Sequence, residues 1–338
     1  MFKGIYRIVT NISRVNKTTL RYGSTFNQPV SGNDLSRSAG IASLFRLPIH
    51  QDSKGLDVCF VGACLDSGAS NRSGTRLGPR HIRVESTMIR PYNMATGARP
   101  FDSLNVGDVG DISLCIYDLP RACNDIKTGV YSLIKDGCKA ITLGGDHTIS
   151  YPLLQAVKEK YGPVGLIHLD AHSDTSNTML GCKIAHGTPF RRAVEDGCLD
   201  LSKVVQIGLR GPGYSLEDRD WSIEQGFRII TAEECWNKSL VPLMADIRQM
   251  MGDAPVYISF DIDALDPSYA PGTGTPEIGG LTVIQALEII RGCRGLNIIG
   301  GDMVEVSPPY DSCGLTSLTA ANLLFEMLCI FPGVNYNK

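Results

Sequence analysis

Three short apolar runs in this chain each end in a knot of ionisable residues, and that recurrence constrains the fold more than any other feature. The run AITL leads into Gly144-Gly145-Asp146-His147, GLIHL into Asp170-Ala171-His172-Ser173-Asp174, and VYISF into Asp261-Ile262-Asp263. Apolar runs this short have the length of strands rather than helices. A strand that is apolar throughout is covered on both faces, as in parallel sheets lined by helices. Successive side chains of a strand point to opposite faces. Asp170, His172 and Asp174 therefore project to one side, and Asp261 and Asp263 do the same. Ligands of such sheets bind beyond the carboxyl ends of the strands, where these polar groups lie.

The rest of the chain fits that sheet. Further strand-like runs span Leu56–Gly62, Val204–Gly208, Phe227–Ile230 and Leu296–Met303, with a weaker one at Leu104–Val106. Amphipathic stretches at Leu119–Lys135, Ile149–Lys160, Leu240–Met251, Leu281–Gly292 and Thr316–Cys329 separate or follow them. Strands alternating with helices predict a single three-layer α/β/α domain with a mostly parallel sheet of about eight strands. No low-complexity tract or repeat interrupts it, so one domain is the simplest reading, placed at residues 55–332 with residues 29–54 as an N-terminal extension.

His147, Asp170, His172, Asp174, Asp261 and Asp263 thus amount to two imidazoles and four carboxylates converging on one sheet edge. Four carboxylates cannot stay ionised together without cations. Two divalent ions balance them, and an oxygen-rich set without thiolates suits Mn²⁺ (or Mg²⁺) better than structural Zn²⁺. Such a pair lowers the pKa of a shared water toward neutrality. Asp146 is open to two readings, ligand or helix N-cap. His168 lies inside its strand and reads as a satisfied core or supporting histidine. Asp266, before Pro267, reads as a turn residue.

Composition excludes other classes. A formal net charge of −3 and a pI near 6.1 do not suit nucleic acid or an anionic membrane surface. No apolar run approaches the length of a membrane helix. Eleven cysteines without a C-x-x-C pair read as free thiols of a reducing compartment. Residues 1–28 contrast with the remainder: they hold Lys3, Arg7, Arg14, Lys17 and Arg21, and the first carboxylate is Asp34. Four of those basic residues share one helical face, the pattern of a mitochondrial transit peptide; an ordinary basic tail is the alternative.

At GGDHTISYP (144–152), LDAHSDT (169–175) and SFDIDALDPSYAPGTGTPEIGG (259–280) the sequence resembles the ureohydrolases, the family of arginase and agmatinase. The resemblance covers about residues 55–330 and is nearest to the animal mitochondrial branch of agmatinases, also described as guanidino acid hydrolases. It implies an arginase-like fold with two Mn²⁺ per subunit. One ion would be held by His147, Asp170, Asp174 and Asp261, the other by His172, Asp170, Asp261 and Asp263. It also implies that His186 is a catalytic histidine and that Glu305 grips a guanidinium, with Asp174 moving a proton. The implied reaction cleaves agmatine, a small cationic guanidino substrate, to urea and putrescine in the mitochondrial matrix. Guanidino acids (4-guanidinobutyrate, 3-guanidinopropionate, taurocyamine) and arginine share the reacting group and are the alternative substrates; a metal-binding regulator without turnover is the non-enzymatic one. Lys183, Arg210 and Arg219 are candidates to meet the far end of the substrate, whereas Arg72, Arg76, Arg80 and Arg83 read as ties between loops or subunits. The family also implies a homo-oligomer, a trimer or hexamer.

Overall fold

The computed structural model describes residues 25–215 and 218–337. Eight strands form one sheet: β1 Val58–Gly62, β2 Val106–Asp111, β3 Lys139–Leu143, β4 Val164–Leu169, β5 Leu199–Leu209, β6 Arg228–Thr231, β7 Pro255–Asp261 and β8 Asn297–Val304. Their order is β2-β1-β3-β8-β7-β4-β5-β6, and every pairing is parallel. The expected three-layer domain is therefore present, with a sheet that is parallel throughout.

Alternation along the strands builds two cores. Val58 and Phe60, Ile167 and Leu169, Val256 and Ile258 face one of them, beneath α7 (Val241–Met251), α8 (Val283–Gly292) and α9 (Leu315–Cys329). Cys59 and Val61, Val164 and Leu166, and Tyr257 face the other, beneath α2 (Leu119–Ile134), α3 (Ser150–Tyr161) and α4 (Pro189–Glu195). Helix ends are closed locally: Asp118 caps α2 through the amide of Arg121, and Thr282 with Gln285 forms a capping box on α8.

Strand β2 runs well beyond the weak Leu104–Val106 signal. Its Gly-Asp-rich sequence has poor strand propensity; tertiary partners supply what propensity lacks. Asp108 accepts from Arg83 Nε (2.8 Å) and from the amide of Leu44 (2.7 Å). Arg83, on α1 (Gly78–Glu85), also reaches Asp111 and so ties α1 to β2, while Arg76 pairs with Asp66 and ties its turn to the loop after β1.

The extension is part of the domain. Leu44, Phe45 and Leu47 are buried, and the Phe45 ring meets Phe60 and Phe325 with centroids 5.3 and 5.9 Å away. Phe45 keeps a φ of 55°. A left-handed backbone of that kind costs of order 1–3 kcal/mol, which burial of its ring, worth about 1.5–3 kcal/mol, offsets.

Residues 1–24 of the expected leader lie outside the described residues. Of its last four, Asn27 donates from its amide to Asn105 Oδ1 (3.0 Å), and the buried Gln28 donates to Phe101 O (2.6 Å). All eleven cysteines are free thiols. Among the described residues no helix is long and apolar enough to cross a membrane.

Candidate metal centre

The four central strands β3, β8, β7 and β4 are neighbours, and each ends in a residue that the sequence singled out. His147 follows β3, Glu305 follows β8, Asp261 ends β7, and Asp170 follows β4. Gly145 lets the first of these ends form. A Cβ there would lie 1.7 Å from Leu65 O, so only glycine lets the loop after β1 pass this close.

His147 is fully buried. Its Nδ1 stands 2.9 Å from Asp174 Oδ2, 3.1 Å from Asp170 Oδ2 and 3.2 Å from Asp261 Oδ2, yet it has no hydrogen-bond partner. Its Nε2 lies 2.9 Å from Ser259 Oγ, and that hydroxyl donates to Asp302 Oδ1 at 2.7 Å. The Ser259 proton is thereby committed, so His147 Nε2 carries the ring proton and Nδ1 presents a lone pair to three carboxylate oxygens. A lone pair facing anions in a dry interior is the arrangement a cation satisfies.

A second cluster shares Asp170. His172 Nδ1 lies 3.4 Å from Asp170 Oδ1 and 3.2 Å from Asp263 Oδ2. Backbone amides hold these carboxylates in place: His172 N donates to Asp170 Oδ1 (2.6 Å), Ala171 N to Asp263 Oδ1 (3.1 Å) and Asp263 N to Asp261 Oδ1 (2.8 Å). Burial, then Asp263 and Asp170, push the Asp261 carboxyl well above the ordinary carboxylate range. Without cations, His147 and His172 could answer this charge only by taking up protons, which burial opposes and the facing aspartates favour. The donors, all oxygen and imidazole, fit a pair of hard divalent cations. Six predicted ligands are thus brought together around two adjoining positions.

Asp146 does not join them. Its oxygens accept from Thr148 N (2.9 Å) and Gly68 N (2.8 Å), so it caps the turn after β3 and holds the loop that follows β1. Asp266 likewise accepts from the amides of Ser268, Gly279 and Gly280, the turn role expected of it.

Glu305 has a φ of 63° and Asp174 one of 51°. Left-handed backbone at non-glycine residues is strained and collects at functional sites. The turn at Glu305 brings its carboxylate to the segment that follows β3. Oε1 accepts the amide of His147 at 2.8 Å and stands 3.4 Å from His186 Nδ1. Oε2 is buried and unpartnered, 3.3 Å from where a Cβ on Gly274 would lie. An unpaired buried carboxylate oxygen costs free energy unless a donor arrives. His186 Nε2 lies 2.7 Å from Ser70 Oγ. Burial disfavours its charged form, but Glu305 and Asp174 outweigh that and raise its pKa to about 9.

Arg210, a candidate for the substrate's far end, is spent elsewhere. It is buried and donates to the carbonyls of Asp263 and Glu277 (2.7 Å each) and of Ala264 and Ile278 (3.1 Å each). It clamps the 277–280 loop onto the end of β7. Lys183 is exposed and Arg219 part-exposed on the loops leading to α4 and to the short helix Asp220–Glu224.

Sequence reasoning missed Ser259, Asp302, Ser70 and Gln206. Ser259 shares the parity of Asp261, and an aspartate inside the apolar run of β8 is itself anomalous; both signals were present. Ser70 carries no signal, because only the fold brings it to His186.

Matches to known proteins extend over most of the chain. The Arginase family model matches residues 56–329. The chain is 60% identical to the mitochondrial agmatinase of Gallus gallus, over 93% of this chain and 92% of that protein. It is 60% identical to the guanidinobutyrase of Pseudomonas aeruginosa, over 91% and 98% of the two chains. The solved proclavaminate amidino hydrolase of Streptomyces clavuligerus superposes with a TM-score of 0.84 at 39% identity, covering 87% of this chain and 98% of that one.

Proposed function

The chain belongs to the arginase family of hydrolases, and on that premise we propose that it uses two Mn²⁺ ions to convert agmatine and water into urea and putrescine. The observation that carries this reading is a pair of bare, buried atoms on neighbouring strand ends. His147 Nδ1 faces three carboxylates, and Glu305 Oε2 has no donor. One fits a cation held by the protein, the other a cationic substrate.

His147, Asp170, Asp174 and Asp261 would hold one ion, and His172, Asp170, Asp261 and Asp263 the other. When bound, such a pair makes a shared water nucleophilic near neutral pH. Glu305 accepts guanidinium N–H groups through Oε2 while the His147 amide fixes Oε1, a charge-assisted pairing. Asp174 takes a proton from the attacking water and delivers it to the departing nitrogen. His186, bonded to Ser70 and with 11% of its side chain still exposed, exchanges protons with solvent. The water oxygen ends on urea, the bond from carbon to the substituted nitrogen breaks, and both water protons leave on the amine.

Two features favour agmatine. Arg210 is consumed by carbonyls and cannot serve as counter-ion to a distal carboxylate. Glu277, with Oε1 3.9 Å from His172 Nε2, offers a carboxylate to a distal ammonium on the exposed side of that ring. A second reading, hydrolysis of guanidino acids, is favoured by Arg72. Its guanidinium lies 5.1 Å from the centre of the Tyr310 ring, on the loop that brings Ser70 to His186.

A urea assay with the manganese-loaded enzyme should give its highest kcat/KM on agmatine, compared with arginine, 4-guanidinobutyrate, 3-guanidinopropionate and taurocyamine. A larger value on 4-guanidinobutyrate would make the Arg72 reading correct, and no urea from any of them would leave a metal-binding regulator. We also propose that the protein works in the mitochondrial matrix, and that its leader ends upstream of Asn27, which is bonded to the body of the domain.

A further inference from the structure

A row of polar side chains crosses the sheet one step beneath the metal centre. In register, Gln206 of β5 lies beside His168 of β4, His168 beside Ser259 of β7, and Ser259 beside Asp302 of β8. All four are buried. Ser259 and Asp302 act on His147, as described above. Neither the two donor clusters nor the proton path through Asp174 and His186 uses His168 or Gln206.

We infer that His168, set in one tautomer by Gln206, is a positioning residue that orients Asp170, the carboxylate shared by the two donor clusters. The inference rests on the reading that cations occupy those clusters. His168 Nε2 lies 2.8 Å from Asp170 Oδ2, and its Nδ1 lies 2.9 Å from Gln206 Nε2. The same amide nitrogen donates to the carbonyl of Ser173 at 2.7 Å. A carbonyl only accepts, so the Gln206 amide cannot be flipped without setting two oxygens against each other. Its second N–H therefore points at His168 Nδ1, which must be the bare nitrogen. Nε2 then carries the proton and donates it to Asp170.

Both His168 nitrogens are thus committed, which excludes it as a metal ligand even though it sits among His147 and Asp170. The ring is held from the side by Phe190, with centroids 4.2 Å apart. Asp170 receives one N–H on each oxygen, from His168 on Oδ2 and from the His172 amide on Oδ1. Those two bonds fix the carboxylate plane and leave a lone pair on each oxygen free. A carboxylate already turned toward two positions loses little freedom when cations arrive.

The test is Mn²⁺ binding, followed through the magnetic-resonance signal of the free aqueous ion, alongside melting of the metal-free proteins. Removing such an outer partner typically costs about 10–100-fold in metal affinity, and that loss is expected for His168→Phe. His168→Gln, which restores an N–H donor, should recover most of it. Gln206→Leu, which leaves the ring tautomer unfixed, should weaken binding while His168 itself is intact. Wild-type affinity in His168→Phe, with only a lower melting temperature, would reduce His168 to a packing residue and overturn the inference. Equal weakening in His168→Phe and His168→Gln would overturn it too, because the N–H would not be what matters. If the wild-type protein itself bound no stoichiometric Mn²⁺, the two-metal reading would fail first, and that result is distinct from either of the others.

Discussion

Asp261→Asn is expected to remove nearly all urea production and, at the same time, to make the metal-free protein more stable. The first effect follows from sharing: Asp261 is assigned to both ions, so its loss weakens both. Cations supply several kcal/mol of transition-state stabilisation, which at 1.36 kcal/mol per decade means a fall in kcat/KM of at least about 10³-fold. The second effect follows from crowding. Asp261 is 2% exposed and faces Asp170 and Asp263. Burial, Asp263 and Asp170 raise its carboxyl well above the ordinary range. A carboxyl whose pKa rises on folding destabilises the folded state at neutral pH, and that penalty fades as pH falls through the folded-state value. Asparagine keeps the acceptor for the Asp263 amide and removes the charge. Melting curves without metal should therefore favour the variant at pH 7, with the gap narrowing toward pH 5. Added Mn²⁺ should reverse the order, since a ligand at 100 times its Kd stabilises by about 2.7 kcal/mol and the variant binds it poorly. A variant that kept wild-type turnover would remove Asp261 from the centre.

Glu305→Gln should separate substrate binding from metal binding. The change retains an oxygen for the His147 amide but takes the charge from Oε2, the buried oxygen without a partner. Hydrogen bonds to charged groups contribute about 1.5–3 kcal/mol. At 1.36 kcal/mol per decade, that predicts a loss in kcat/KM of about 10- to 150-fold on guanidino substrates. Manganese content should stay at the wild-type level, because Glu305 is assigned to neither ion. Loss of metal from this variant would instead mean that Glu305 braces the centre through His147.

Much of this was legible in the chain because each informative residue follows an apolar strand. Period-two spacing picks out the right residues, but strand alternation is not what aligns them. β4 ends at Leu169 and β7 at Asp261, Asp174 has left-handed backbone, and Asp263 lies in the turn Ile262–Ala264. Parallel topology determines where the strand ends converge, and the loops after them turn the side chains together. Neither spacing nor topology depends on distant partners. What spacing could not reveal depends on them. Strand β2 was nearly invisible because its aspartates and glycines are supported by Arg83 and by Leu44 from the extension. The polar stretch Asp200–Lys203 hid the first half of β5. Arg210 looked available to a substrate in sequence, and only the fold wraps it in carbonyls. The row Gln206–His168–Ser259–Asp302 consists of residues inside their strands rather than beyond them, where polarity suggests no more than a satisfied core. Only strand order turns them into supports for His147 and Asp170.

The most direct measurement is anomalous diffraction from crystals grown with Mn²⁺. Two peaks about 3.5–4 Å apart, the spacing of two-metal sites, should lie among His147, Asp170, His172, Asp174, Asp261 and Asp263. No peak there, or one ion bound away from Asp170 and Asp261, would contradict the account.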